Sequence, residues 1–387
     1  MDSVRFLLDL AILLFAAKAF GILARRVGAP EVVGEIVAGL LVGPAVLGLV
    51  DQSDFLSQMA EVGVIMLMFE AGLGTDLKKL RQTGWKSTLI ACAGVFVPMA
   101  LGTALFLCFY GGSGQLLKGL FIGTIMSATS VSITVAALKE LGKLDGVVGT
   151  TITSAAIIDD VIGIIVLTVV IGMTGNSSGS ALVIGKAALF FVVAIGSGFV
   201  VYRVFSWLDA HYTHTRRVPI ASLCYCLALA YLAETYFGIA DITGAYVAGV
   251  VLCNLSDAGY IERRVDISSY MVFAPLFFTG IGLKTSFSSV DAKLLAFSVC
   301  FVIVSLLGKV IGCGLCARAC RFSGRDSLKI GLGMMTRGEV ALITAQKGLS
   351  AGLLTADFFT AVILLILVSS IVTPILLKRE YTKYPTD

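Results

Sequence analysis

The sequence predicts an all-α membrane protein of thirteen transmembrane helices, built as two inverted repeats with crossed, broken helices. Three observations predict it. The 387 residues are 57% hydrophobic and 14% charged, with a mean hydropathy of +0.96, whereas soluble domains carry roughly 25% charged residues. The basic residues gather on alternate flanks of the apolar segments. Two sequence blocks recur about 210 positions later in the chain.

A span needs about 20 mostly apolar residues, and thirteen windows qualify in chain order. Span 1 covers 4–25. The start, MDSVRFLLDL, lacks the basic segment and small-residue cleavage site of a secretory signal, so this span is expected to remain in the membrane. Within it, Asp9 and Lys18 are read as a pair across a subunit contact or as snorkelling side chains. Spans 2 (31–50) and 3 (55–74) carry Glu35 and Glu70, and span 8 (217–236) carries Glu234. These three are read as span-end or cavity-lining residues. Span 4 covers 86–110, and span 5 (117–138) is interrupted at mid-depth by Ser127-Ala-Thr129-Ser130-Val-Ser132. Span 6, 147–171, holds Asp159 and Asp160 side by side, about twelve residues from either end. After span 7 (181–206), His211 and His214 stand beside Arg216 and Arg217 in what reads as a solvated loop rather than a pH sensor. Spans 9 and 10 cover 240–256 and 268–287. Span 11, 292–318, contains Lys309 and places Cys313, Cys316 and Cys320 on one helical face. Small, soft residues lining a helix contact are expected there rather than a metal or redox site. Span 12 (326–347) is interrupted by Thr336-Arg337-Gly338-Glu339, and span 13 covers 353–378.

The basic residues test the count independently, because cytoplasmic flanks collect Lys and Arg. Twenty of the 29, including Arg25, Arg26, Lys78, Lys79, Arg263 and Arg264, fall on one side. The other side receives six: Arg5, Lys118, Lys186, Lys284, Lys293 and Lys347. Lys18, Lys309 and Arg337 lie inside spans. A miscounted span would scramble this bias. The N-terminus is therefore expected outside and the C-terminus in the cytoplasm.

The repeat is local but consistent. Gly28-Ala-Pro-Glu-Val-Val-Gly34-Glu-Ile-Val37-Ala38-Gly39 returns as Gly238-Ile-Ala-Asp-Ile-Thr-Gly244-Ala-Tyr-Val247-Ala248-Gly249, at an offset of 210. Phe69-Glu-Ala-Gly72-Leu-Gly74 returns as Phe277-Phe-Thr-Gly280-Ile-Gly282, at an offset of 208. Corresponding spans lie seven apart and so run in opposite directions, as in secondary transporters built on inverted repeats. Spans 5 and 12 then correspond, and an offset of 210 sets Thr129 against Glu339. Paired polar interruptions of this kind mark a substrate site between broken helices, because unwound backbone at that depth must line a cavity or lie buried in protein.

The chemistry follows from the residues that share this depth. A carboxylate at the bilayer centre costs at least roughly 2.5 to 3.5 kcal/mol, so two adjacent ones imply a partner, water or an ion. A bare monovalent cation wants hard oxygen ligands. Asp160, Asp159, Thr129 and Ser130 supply them. Neighbouring helix positions point about 100° apart, so one aspartate can face the ion while the other reaches a neighbouring helix. Lys309 is the natural partner for Asp159; cation binding would break that pair and release a proton from Lys309. A carboxylate that holds either a proton or a cation, never both, is sufficient for exchange, provided the empty charged site cannot cross. Arg337 and Glu339 are read as structural charges that pair with adjacent helices and hold the broken span together.

These residues resemble the bacterial cation:proton antiporter-2 family, the sodium/proton antiporters. The likeness rests on Ala155-Ala-Ile-Ile-Asp159-Asp160, Ala128-Thr129-Ser130, Gly308-Lys309 and Arg337-Gly338-Glu339, and it extends over essentially the whole chain. The resemblance implies the sodium/proton antiporter fold and an elevator mechanism in a homodimer within the cell membrane. A core domain (86–171 and 292–378) would slide against a dimerisation domain (1–74 and 217–287), with 181–206 as the linker. It implies Asp160 as carrier of cation and proton, Asp159 as partner of Lys309, electrogenic exchange and a role in pH homeostasis. No cofactor is implied beyond the transported Na+ and H+, and no partner beyond a second copy and lipid, nucleic acid included. Relatives that carry potassium often end in a nucleotide-binding domain. Only nine residues, 379–387, follow the last span here, so none is expected.

Other functions fit less well. Exchange of K+, or of both Na+ and K+, is the nearest alternative, because the ligands do not fix ion size. A sodium-coupled symporter of an organic anion shares the core, but Lys309 between the halves weakly opposes it. An intramembrane aspartyl protease would set its two carboxylates on separate helices, and no enzyme activity is expected. A channel would have no need of a titratable ion pair.

Overall fold

The computed structural model describes residues 4–26, 31–75, 84–112, 114–130, 134–135, 137–138, 141–144, 146–173, 180–211, 217–284 and 292–384. Every regular element among the described residues is helical. The chain divides into two compact units. One comprises 1–27, 31–77 and 171–285; the other comprises 28–30, 78–170 and 286–387.

The first unit contains α1 (Arg5–Arg26), α2 (Glu31–Val42), α3 (Asp54–Leu73) and, later in the chain, α7 (Ser180–His211), α8 (Arg217–Phe237) and α9 (Asp241–Leu252). It is completed by α10 (Ala258–Ser268), which runs through a π-helical stretch, Ser269–Phe273, into α11 (Ala274–Lys284). The second unit contains α4 (Trp85–Tyr110), α5 (Leu116–Ser127), α6 (Val147–Gly172), α12 (Ala292–Ala319), α13 (Gly324–Gly333), α14 (Glu339–Ser350) and α15 (Phe358–Lys383).

Among the described residues, nine helices are long and apolar enough to cross a membrane. The other four expected spans, 31–50, 117–138, 240–256 and 326–347, contain helices of only 10 to 12 residues. Local chemistry explains the stops. Helix α2 ends at Val42 because Gly43-Pro44 follows, and proline disfavours helical backbone in the residue before it. The chain then turns back, with Leu49 and Val50 N–H both donating to Val42 O.

One boundary moves. Span 10 was expected over 268–287, yet its helix begins at Ala258. Residues 258–268 are amphipathic: Ala258, Ile261 and Val265 are buried while Glu262, Arg263, Arg264 and Asp266 are exposed. Charge count alone hides such an extension, because the buried stripe needs only every third or fourth residue.

Packing in the first unit is reciprocal about the sequence repeat. A Cβ on Gly39 of α2 would lie 2.0 Å from Thr279 O, and one on Gly282 of α11 would lie 2.2 Å from Ile36 O. In the other half, a Cβ on Gly249 of α9 would lie 2.3 Å from Phe69 O, and one on Gly72 of α3 would lie 2.2 Å from Tyr246 O. Each contact maps onto its counterpart at an offset of 210. The second repeat block therefore equates Gly72 with Gly282, two residues from the 208 register its sequence suggests. Backbones this close tolerate only glycine, the usual means of tight helix packing where the surroundings are as apolar as the side chains. Residues that meet their own counterparts support the same offset. Gly63 abuts Phe273 O in the first unit, and Gly308 abuts Pro98 Cα in the second.

Candidate cation-binding site

In the second unit, both broken segments meet in mid-chain. Helix α5 stops at Ser127, and residues 128–130 are unwound. Helix α13 stops at Gly333, and the chain stays unwound to Gly338, where α14 begins. Ser130 N–H donates to Thr336 O at 2.9 Å, joining the two breaks through backbone. Thr134 Oγ1 donates to Gly333 O at 2.8 Å and lies 3.1 Å from Thr336 Oγ1. Ser132 lies outside the described residues.

Helix α6 carries the aspartates between these breaks and α12. Lys309 Nζ donates to Asp159 Oδ1 at 2.6 Å, with both side chains buried. Helix α4 closes over them at Gly94, where a Cβ would lie 3.2 Å from Asp159 Oδ1, 3.2 Å from Lys309 Nζ and 2.7 Å from Cys313 Sγ. The pair therefore depends on a missing side chain. Removing one partner of such a buried pair costs about 3 to 5 kcal/mol, because the other charge is stranded.

Asp160, half-buried, points elsewhere. With Asp159 it lines a pocket at the end of α5 whose other polar walls are Thr124, Ser127, Thr129 and Thr344. Ile164, Leu167 and Val340 supply apolar wall. The four hydroxyls share one property. Thr124 Oγ1 donates to Leu120 O at 2.9 Å, Ser127 Oγ to Thr124 O at 2.8 Å, Thr129 Oγ1 to Ser127 O at 3.3 Å and Thr344 Oγ1 to Val340 O at 2.8 Å. A hydroxyl has one hydrogen and two lone pairs. With each hydrogen committed to backbone, these oxygens offer the pocket lone pairs only. A wall of lone pairs plus a carboxylate suits a cation and repels an anion.

Arg337 is bonded to backbone oxygens. Its side chain is fully buried, and Nη1 donates to the carbonyls of Met334 (3.3 Å), Met335 (3.1 Å) and Thr336 (3.4 Å). Nη2 donates to Ser305 O at 3.4 Å, and Arg337 N–H donates to Ser369 Oγ at 3.0 Å. It ties the broken span together through backbone carbonyls. The cause is local, since the buried carbonyls of the unwound segment have no helical ladder to join and need another donor. Glu339 opens α14, and its side chain lies outside the described residues.

Other sequence readings also resolve. Asp9 pairs within α1 with Arg5 (3.9 Å), and Lys18 with Glu31 (3.3 Å) and Glu35 (3.7 Å). Glu35 is buried, Glu70 half-buried and Glu234 exposed. Cys313 and Cys320 are buried and Cys316 partly so, all as free thiols. Among the described residues, no group of three or more His, Cys, Asp or Glu side chains is placed to hold a metal ion. His211 ends α7, and His214 lies outside the described residues. Thr124, Thr344 and Gly94 escaped the sequence reading. Thr344 alone had a signal, since it stands 210 residues after Thr134.

The family profile described as "Sodium/hydrogen exchanger, transmembrane" matches residues 11–379. The chain belongs to this family. It is 36% identical over 378 residues to the Na(+)/H(+)-K(+) antiporter GerN of Bacillus cereus, covering 97% of this chain and 96% of GerN. It is 31% identical over 374 residues to a Na(+)/H(+) antiporter of Enterococcus hirae, covering 95% and 96% of the two chains. Its fold is similar to that of the sodium proton antiporter MjNhaP1 from Methanocaldococcus jannaschii, solved at pH 8. The TM-score is 0.75 at 16% identity, with 99% of this chain and 98% of that chain covered. The exchanger family is one of multi-pass membrane antiporters, consistent with the long apolar helices of this chain.

Proposed function

We propose that this exchanger is a secondary active transporter that moves Na+, and Li+ with it, against H+ across the cell membrane. One observation carries the reading: Asp160 faces hydroxyl oxygens whose hydrogens are already spent, beside a buried Lys309–Asp159 pair. In the cation-free state Asp160 holds a proton. Entry of Na+ displaces it, and Asp159 turns from Lys309 toward the ion. Lys309, stranded in a dry interior, then gives up its own proton. More than one H+ thus leaves for each Na+ bound, and exchange is electrogenic.

The remaining architecture of the proposal comes from the sequence and the family resemblance. Thirteen crossings, two inverted repeats and an external N-terminus agree with the basic-residue bias. The core, 86–171 and 292–378, carries the pocket and moves as an elevator. A dimerisation domain, 1–74 and 217–287, holds two copies together, with 181–206 as linker. No cofactor takes part.

Purified protein in proteoliposomes tests the reading. An imposed pH gradient should be dissipated by added Na+ or Li+, and the flux should respond to membrane potential. Proton movement with none of Li+, Na+ or K+ would overturn it. A second reading, mixed Na+ and K+ exchange, draws support from GerN, named as a Na(+)/H(+)-K(+) antiporter. Comparable flux with K+ in the same vesicles would select it.

A further inference from the structure

We infer that Thr344 is a ligand of the transported cation, supplied by the second half of the chain to a pocket whose other polar side chains come from the first. The inference rests on the proposed exchange function. Its first support is position. Thr344 and Val340 stand one turn apart on α14, on the face that lines the pocket holding Asp160, Thr124 and Ser127. The second support is chemistry. Thr344 is buried and its hydrogen goes to Val340 O at 2.8 Å, so its oxygen can serve the pocket only as an acceptor. A structural threonine would need no pocket in front of its remaining lone pairs.

The third support is a broken symmetry between the halves. Thr134, 210 residues before Thr344, spends its hydroxyl on Gly333 O and Thr336 at the end of α13. Arg337 fills the rest of that helix end, capping the carbonyls of Met334, Met335 and Thr336 with a permanent positive charge. At the end of α5, where Thr344 stands, none of the described residues lining the pocket is basic. One helix end is satisfied by a resident cation fixed to the chain. The other stands beside a carboxylate, and Thr344 lines the same pocket.

A ligand from α14 has a consequence that ligands from α5 and α6 alone would not have. The ion bridges the two halves of the broken-helix crossing. The distance between Asp160 and Thr344 then limits which radii fit, so Thr344 tunes selectivity among Li+, Na+ and K+.

The test uses full-length protein in proteoliposomes, with Na+-driven proton flux measured against Na+ concentration at alkaline pH. Thr344→Val keeps the shape and removes the oxygen. Without that one oxygen on the ion, the half-saturating Na+ concentration should rise about tenfold, at unchanged maximal rate. Thr344→Ser restores the oxygen and should recover the parental value to within about twofold, while shifting the Li+:Na+:K+ ranking through its smaller side chain. Two results overturn the inference: parental half-saturation in Thr344→Val, or an equal defect in Thr344→Ser, which would mark a packing role. Should Thr344→Val misfold, the ion ranking of Thr344→Ser decides alone, and a parental ranking overturns the inference. A parent protein inactive with all three ions would defeat the exchange proposal itself, an outcome distinct from an active parent with an indifferent Thr344→Val.

Discussion

Lys309 and Asp159 meet at 2.6 Å with both side chains buried, beneath a glycine that leaves them room. A buried charge pair is weak evidence for stability, because its desolvation cost rivals its attraction. Its presence at the depth of a cation pocket is better explained by use. Lys309→Ala removes the charge that the proposed cycle neutralises when the cation binds. The variant should retain Na+ binding but lose most of the dependence of flux on membrane potential. Flux that follows an imposed potential as steeply as in the parent would count against the proton step at Lys309.

Asp160→Asn is the complementary change. It keeps the volume, removes the charge and leaves Asp159 and Lys309 in contact. Exchange should cease while the protein remains folded and elutes as the parent does in size-exclusion chromatography. In the parent, competition at the carboxylate and proton release from Lys309 set the pH response. Where the carboxylate and Lys309 both start protonated, each pH unit of acidification should raise half-saturating Na+ by more than tenfold, toward the about hundredfold slope of two protons displaced per ion. A half-saturation that does not move with pH would show that proton and cation occupy different sites.

The aspartates were legible in the sequence because charge is rare in apolar runs, and a single symbol reveals it. Lys309 was legible for the same reason, as were the two polar interruptions. The bonding of Arg337 was not, because backbone carbonyls leave no trace in a sequence. Thr344 was hidden in a different way. A helical threonine that bonds back to the residue four before it is commonplace, and only the fold shows which one faces a cavity. Gly94 is one of 42 glycines, and its importance lies wholly in what packs against it. The register of the repeat was readable to within two residues. The packing of Gly72 against Tyr246 and of Gly282 against Ile36 supplies the correction.

That packing makes a prediction for the first unit. Gly72→Val would drive a branched side chain into Tyr246 O, 2.2 Å from the added Cβ. Backbone on both helices would have to separate, which is a large overpacking defect of about 3 kcal/mol or more. The yield of folded protein in detergent should fall sharply, and Gly249→Val should do the same by symmetry. Near-parental thermal stability in either variant would contradict the tight crossing of α3 and α9.

Arg337 gives the last prediction. Its fully buried guanidinium sits among four carbonyl oxygens. Arg337→Met retains length and apolar bulk but takes the guanidinium donors away from Met334 O and Met335 O in a dry interior, while Thr336 O keeps its bond from Ser130 N–H. Each buried polar group stranded in this way costs about 1 to 3 kcal/mol, and the whole change should lower stability by at least ~3 kcal/mol. Arg337→Lys restores the charge without the planar fork that reaches several acceptors at once, so it should recover only part of the loss. Thermal unfolding in detergent measures both. Because Arg337 holds the end of α13 rather than the ion, the half-saturating Na+ of whatever folded Arg337→Lys remains should stay within about twofold of the parent. A selective rise in that value with intact stability would instead place Arg337 in the ion's path.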